Sequence, residues 1–234
     1  MMDKGLLEEA AKRAGVELTA AMLEQTICYV DLLREANRKM NLTSIIDDEP
    51  VARLHFEDSW RAAAHIPQGV HLIDVGTGAG FPGMALALVR PDLRVTLLDA
   101  TLKKVKFLQE VTGQLELDRV TAVQGRAEEL GRTGSFRDQF DLALARALTA
   151  LPVLVELCLP FVKAGGCLIA MKGEEDETKE AARAIRLLKG SLDRVVHYSL
   201  PGTDKPRSLV LIKKEGPTPS SYPRRMAVIK KAPL

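Results

Sequence analysis

A chain of 234 residues suits one large domain, or one domain with a small extension, and 46% hydrophobic residues with only 4% aromatics give it a sizeable, mainly aliphatic core. The composition is that of a globular protein and excludes a disordered or fibrous one. The net charge of +2 points to no particular partner, no segment approaches the ~18 apolar residues of a bilayer span, and the N-terminal MMDKGLLEEAAKRAG lacks the apolar run of a signal peptide, so a cytoplasmic protein with no membrane partner is expected.

Residues 3 to about 65 read as helical. Leu6, Leu7, Ala10, Ala11 and Ala14 recur at helical spacing, and after a Thr19 N-cap the stripe continues through Met22, Leu23, Ile27, Val30, Leu32 and Leu33. Asn41 to Asp48 is a loop, and a short helical piece covers Val51–Ala64.

From Val70 the pattern changes. Short apolar runs at Val70–Val75, Arg94–Leu98, Val120–Val123, Leu142–Ala145 and Cys167–Met171 alternate with helical segments at Pro82–Val89, Leu102–Leu115, Ala147–Phe161 and Asp176–Leu188. Continuously apolar strands suit a parallel sheet covered on both faces, and right-handed crossovers make it a doubly wound α/β layer. Arg194–Leu200 and Arg207–Lys213 are joined by Pro-Gly-Thr-Asp-Lys-Pro with no helix between, which predicts a hairpin with one antiparallel strand. Five parallel strands closed by such a hairpin is the Rossmann-like arrangement of class I methyltransferases, whereas a dinucleotide-binding dehydrogenase continues βαβ to its sixth strand. The expected division is a helical extension at 1–65, a methyltransferase domain at 66–215 and a basic tail at 216–234. From residue 205 onward, eight basic residues face only Glu215, a local charge of +7 that leaves −5 on the rest and suggests a polyanionic partner.

Leu72-Ile-Asp-Val-Gly-Thr-Gly-Ala-Gly-Phe-Pro-Gly83 follows a strand and opens a helix. Gly76, Gly78 and Gly80 let the backbone turn sharply beside a ligand, and the helix start adds free N–H groups, so a nucleotide-like ligand is expected. Gly78-x-Gly80-x-x-Gly83 also fits the dinucleotide fingerprint, a weak signal alone. Two features favour S-adenosylmethionine. Asp74 is placed to receive the cofactor's ammonium group and would repel a pyrophosphate, and Phe81 with Pro82 makes the turn bulkier than a pyrophosphate loop allows. Asp99, ending the second strand, can accept both ribose hydroxyls, or can cap the helix that begins at Leu102. Ala127 and Glu128 lie beside the adenine, or form an ordinary acidic first turn.

The fourth strand ends in Arg146-Ala147, at the ligand crevice. Arg146 contacts cofactor or acceptor, against an ion pair with Glu128. The chain has no Asp/Asn-Pro-Pro-aromatic motif for exocyclic amines, and no Pro-Cys nucleophile for cytosine C5 chemistry. Guanine N7, which has an in-plane lone pair and no proton, needs placement more than a base. Lys172 keeps ribose 2′-hydroxyl methylation open. Lys103, Lys104 and Lys106 either extend a phosphate-binding rim or form a solvated helix face. Cys28, Cys158 and Cys167 have neither CxxC nor histidine partners at ligand spacing, so they read as small buried hydrophobes and no metal is expected. No residue is singled out as catalytic.

Met40-Asn-Leu-Thr-Ser44, His55-Phe-x-Asp-Ser59, Asp74 through Gly83, Leu97-Leu-Asp-Ala-x-x-Lys-Lys-x-x-Phe-Leu108 and Arg146-Ala147 together resemble the RsmG (GidB) family of 16S ribosomal RNA guanine-N7 methyltransferases. The resemblance implies methyl transfer from S-adenosylmethionine to N7 of a guanine in the 530-loop region. It implies 16S ribosomal RNA or the small subunit as partner. It also implies that Gly76, Phe81, Asp99, Ala100, Thr101, Ala127, Glu128 and Arg146 contact the cofactor, beside Gly78 from the loop reading. Lys103, Lys104, Arg146, Lys172, Arg224 and Arg225 are the candidate RNA contacts. The tail departs from the family pattern at Ala227 and Ile229, Trp60 reads as packing, and His55 and Asp58 are either a structural pair or a docking feature. A small-molecule methyltransferase and an RNA-binding module with a degenerate loop remain the alternatives, opposed by the basic tail and by the intact Asp74, Gly76, Gly78 and Asp99 set. No heptad repeat calls for assembly, and a monomer is expected.

Overall fold

The computed structural model describes residues 2–173, 177–203 and 206–234. Helix α1, Lys4–Ala14, is capped by Asp3 and closed by Gly15 in the left-handed region, while α2, Ala20–Met40, is capped by Thr19, whose hydroxyl accepts from Met22 N. A single turn α3, Asp48–Pro50, runs into a π-helix at Val51–Glu57 and then into α4, Asp58–Trp60. Trp60 is fully buried and donates its indole N–H to Ala85 O at 2.8 Å, which makes it a packing residue.

The sheet strands are β1 His71–Val75, β2 Arg94–Asp99, β3 Val120–Gln124, β4 Phe140–Arg146, β5 Val162–Lys172, β6 Gly190–Tyr198 and β7 Arg207–Lys214. Between and after them lie α5 Gly83–Val89, α6 Leu102–Gln114, α7 Ala127–Leu130, α8 Leu151–Cys158, α9 Thr178–Leu187 and α10 Met226–Lys231. The strand order is β3-β2-β1-β4-β5-β7-β6. Strands β1 to β5 are parallel, β7 runs antiparallel to β5, and β6 pairs antiparallel with β7 at the edge. The antiparallel strand of the expected hairpin is therefore its second one.

Successive residues of each strand feed opposite cores. Leu72, Val95, Leu97, Leu144 and Ile169 pack with α1, α2, α5 and α6. Ile73, Val75, Leu98, Ala143, Ala145 and Leu168 pack with α8, α9 and Ile229 of α10. This two-sided burial is why the strands read as continuous apolar runs.

Several expectations shift. The helix expected over Ala147–Phe161 begins only at Leu151, because Ala147 takes a positive φ of 51° and breaks the chain away from β4; its end, Leu159–Phe161, is a 3-10 turn. Strand β5 starts five residues before Cys167, at Val162, and β6 starts at Gly190, not at Arg194. Asp176, the expected start of the next helix, and Lys205 of the basic segment lie outside the described residues. Of the cysteines only Cys158 is buried; Cys167 is half-buried and Cys28 is exposed, because α2 turns Leu23, Ile27 and Val30 inward and Cys28 away.

Candidate cofactor and acceptor site

The switch point of the sheet lies between β1 and β4, whose outward connections diverge, and the Gly76–Pro82 loop sits there. Gly76 N and Thr77 N both donate to Leu98 O, at 2.8 and 3.0 Å, which folds the loop over the end of β2. Gly76 has φ 75°, and a Cβ there would meet Leu148 Cδ1 at 2.5 Å. Gly80 has φ 110°, and a Cβ would meet the Tyr29 hydroxyl at 2.6 Å. That hydroxyl donates to Ala79 O, so α2 of the helical extension clamps the loop directly.

Asp74 is fully buried beneath the loop. Its Oδ2 accepts from Gly83 N at 2.8 Å, whereas Oδ1 and the Thr77 hydroxyl have no hydrogen-bond partner among the described residues. Burial pushes the Asp74 pKa up to about 6, while Thr77, the Gly83 N–H and Arg146 hold it down. An orphaned buried carboxylate oxygen calls for a cationic or N–H-bearing ligand group, and the ammonium of S-adenosylmethionine fits that demand.

Asp99 accepts from Gly78 N at 3.0 Å through Oδ2 and from Thr101 N at 2.8 Å through Oδ1. The carboxylate thus braces the loop and the start of α6 while retaining acceptor capacity for ribose hydroxyls. Lys104 Nζ stands 3.7 Å from it. Gly125 N donates to Asp99 O at 3.1 Å, which brings Ala127 and the buried Glu128 to the neighbouring edge. Ala100 is exposed beside them. The ends of β1, β2 and β3 that carry the expected cofactor residues are therefore joined to one another by hydrogen bonds.

Arg146 departs from the sequence-based alternative: its ion-pair partner is Asp58, with Nη1 2.9 Å from Oδ2, and not Glu128. Its guanidinium also lies 5.5 Å from the Phe81 ring centroid, near the loop. The His55 ring stacks on Phe81 at 4.2 Å with an 8° interplanar angle, and its Nε2 lies 3.1 Å from the Thr43 hydroxyl. Burial and the Arg146 charge lower the His55 pKa to about 3, so this ring is neutral. His55 and Asp58 thus dock the extension onto the site. Tyr29, Tyr198 and Arg207 belong to the same network, and no sequence signal announced them; their reach depends on packing between distant elements.

The candidate RNA contacts do not form one surface. Lys103 Nζ donates to Met40 O at 3.0 Å. Lys172 Nζ is held by Thr149 O at 3.0 Å and by Glu177 at 2.8 Å. Arg224 is locked to the buried Glu156. The basic tail is docked as well. Arg137 donates to the carbonyls of Gly131, Thr218, Pro219 and Tyr222, and Arg132 to that of Pro223. Lys213 pairs with Asp193, and the buried Lys214 with Asp138. Of the cations counted in the +7, Arg207, Lys213, Lys214 and Arg224 are therefore paired with acids elsewhere in the chain. Exposed Arg225 instead borders a groove of about 760 Å³ with Arg126, Glu128 and Arg132, while Lys230 and Lys231 are exposed at the end of α10. Among the described residues no group of three or more His, Cys, Asp or Glu side chains could hold a metal ion, and no helix is long and apolar enough to cross a membrane.

A doubly wound sheet with the β5-β7-β6 ending, and a glycine loop set between Asp74 and Asp99, defines a class I methyltransferase with S-adenosylmethionine as its cofactor. The family model described as rRNA small subunit methyltransferase G (GidB) matches residues 22–209. The chain belongs to this family. The ribosomal RNA small subunit methyltransferase G of Acetivibrio thermocellus is 44% identical over 98% of this chain and 96% of its own, and that of Alkaliphilus oremlandii 41% identical over 99% and 98%. Among solved structures, M. jannaschii TYW2 in complex with AdoMet superimposes with a TM-score of 0.55 at 14% identity, covering 68% of this chain and 75% of its own, a likeness of fold alone.

Proposed function

We propose that this chain is a cytoplasmic, monomeric enzyme that transfers a methyl group from S-adenosylmethionine to N7 of a guanine in the 530-loop region of bacterial 16S ribosomal RNA. When bound, the cofactor supplies an electrophilic methyl group. The chain's own residues bind and orient: Asp74 receives the ammonium, Asp99 the ribose, Ala127 and Glu128 the adenine edge, and the Gly76–Phe81 loop with Ala100, Thr101 and Arg146 frames the rest.

The choice of acceptor is supported by the commitment of the proton-accepting groups at the crevice, Asp74, Asp99 and Glu128, to the cofactor, which leaves none of them to take a proton from the acceptor. Lys172 Nζ is engaged by Glu177 at 2.8 Å and by Thr149 O at 3.0 Å, which removes the feature that favoured a ribose hydroxyl. Cys158 is fully buried and burial pushes its thiol pKa upward, so it offers no thiolate for cytosine C5. Burial and the Arg146 charge lower the His55 pKa to about 3, which makes its imidazole a weak base, and the ring is stacked on Phe81. An acceptor with a free lone pair and no proton to lose is what such a site can serve, and guanine N7 is one.

For the RNA, Arg225 and its neighbours Arg126, Lys230 and Lys231 are the cations best able to meet phosphates. Lys103, Lys104, Arg146 and Lys172 lie nearer the crevice, where the target nucleotide must enter. Arg224 serves the RNA only indirectly, by holding the tail. The test is incubation with methyl-labelled S-adenosylmethionine and small-subunit particles from cells lacking the endogenous modification, followed by nucleoside analysis. Label in 7-methylguanosine is expected; label in any other nucleoside overturns the acceptor.

A further inference from the structure

Arg146 leaves the end of β4 and turns its guanidinium into the helical extension. Nη1 donates to Leu54 O at 2.9 Å and to Asp58 Oδ2 at 2.9 Å, with His55 O at 3.5 Å; Nη2 lies 3.4 Å from His55 Nδ1. The Asp58 side chain is 1% exposed. Its other oxygen accepts from the Tyr198 hydroxyl at 2.8 Å, and Arg207 Nη1 stands 3.4 Å from Oδ2.

The π-helix is what presents these acceptors together. Asp58 N–H reaches back to Arg53 O, five residues away, and the widened turn carries His55 and Asp58 on the side that faces β4. A π segment is rare and is frequently found at functional sites. Here its product is a socket for one guanidinium.

We propose that Asp58 is the positioning residue for Arg146: it fixes the arginine beside Phe81 so that the charge is already aimed at the cofactor crevice when ligand arrives. This rests on the reading that Arg146 contacts the cofactor. A free arginine would lose several rotors on binding, whereas one held by Asp58 and the Leu54 carbonyl has lost them in the folded protein. Arg207 makes the arrangement usable. A buried carboxylate with a single counterion would resist any ligand that drew that counterion away, but Asp58 keeps a second guanidinium and a phenol hydroxyl.

The test uses the full chain and four variants, with cofactor affinity read by equilibrium dialysis of labelled S-adenosylmethionine and folding by thermal denaturation. Asp58→Asn keeps the shape and an acceptor for Tyr198 but removes the charge; it is expected to weaken cofactor binding about tenfold in a folded protein. Arg146→Met is expected to weaken it at least as much, and the double variant no further than Arg146→Met alone, because the two act as one unit. Tyr198→Phe, which removes a partner of Asp58 without reaching Arg146, is expected to cost clearly less affinity than Asp58→Asn. If Asp58→Asn does not fold, Asp58→Glu, which shifts the charge by one methylene, is read in the same way. Affinity lost with Arg146→Met but kept with the Asp58 variants overturns the positioning role alone. Affinity kept with Arg146→Met overturns both that role and the placement of Arg146 at the cofactor. Equal loss with Tyr198→Phe means that Asp58 acts through the fold at large, which also overturns it.

Discussion

Arg224 and Glu156 are joined by three hydrogen bonds: the Arg224 backbone N and Nε reach Oε1 at 2.9 and 2.8 Å, and Nη2 reaches Oε2 at 2.6 Å. The Glu156 side chain is fully buried and that of Arg224 is 22% exposed. Removing the arginine leaves a carboxylate in the core of α8 with no counterion. Arg224→Met is therefore expected to cost about 3–5 kcal/mol, measured by urea denaturation, and the double variant with Glu156→Leu to recover most of it. A stability unchanged by Arg224→Met would mean that the clamp is not formed in solution.

Arg225, the next residue, is exposed at the groove, and no ion pair is seen for it among the described residues. Arg225→Ala is expected to leave the melting temperature unchanged. In filter binding across a salt series it should lower the slope of log affinity against log salt by about 0.7–0.9, the signature of one lost phosphate contact. The contrast between adjacent arginines separates a structural cation from an RNA-facing one.

Asp74 gives a pH dependence with two opposite signs. Burial raises its pKa to about 6, so its ionised form is the one the fold disfavours. Its contribution to stability is fully present at low pH, below the ordinary carboxylate value, and is lost as the pH rises through about 6. Cofactor affinity runs the other way, since only the ionised carboxylate attracts an ammonium. Binding should weaken about tenfold from pH 7 to pH 5, and Asp74→Asn should flatten both profiles. An affinity that does not change over this window would remove Asp74 from the ammonium site.

Asp99 braces two backbone N–H groups as well as facing the expected ribose. Asp99→Ala is expected to weaken cofactor binding about 10- to 100-fold by calorimetry while leaving RNA affinity intact. Undiminished cofactor binding would place the ribose elsewhere.

The doubly wound core was legible because a parallel sheet buried on both faces must be spelled as apolar runs, and the crevice because glycines and strand-terminal acids have few other uses. The tail misled for a physical reason. A count of lysines and arginines carries no information on which of them meet acids such as Glu156, Asp138 and Asp193, which lie far away in sequence. Arg146 was placed at the right strand end, but its partner was not. Asp58 lies 88 positions earlier and reaches it only because a π turn, which leaves no mark in a hydrophobic pattern, rotates it into place. Ala147 likewise carried no sign of the positive φ that delays α8.

Trp60 is the chain's single tryptophan, and its indole N–H is tied to the backbone of α5, the helix that opens from the cofactor loop. The protein therefore carries one built-in optical reporter at the seam between its helical extension and its catalytic sheet. Emission from this dry, hydrogen-bonded site should be blue-shifted, and any loosening of the seam should move it to the red without a label being added. Rapid-mixing fluorescence can then time the docking of the extension separately from the closure of the sheet.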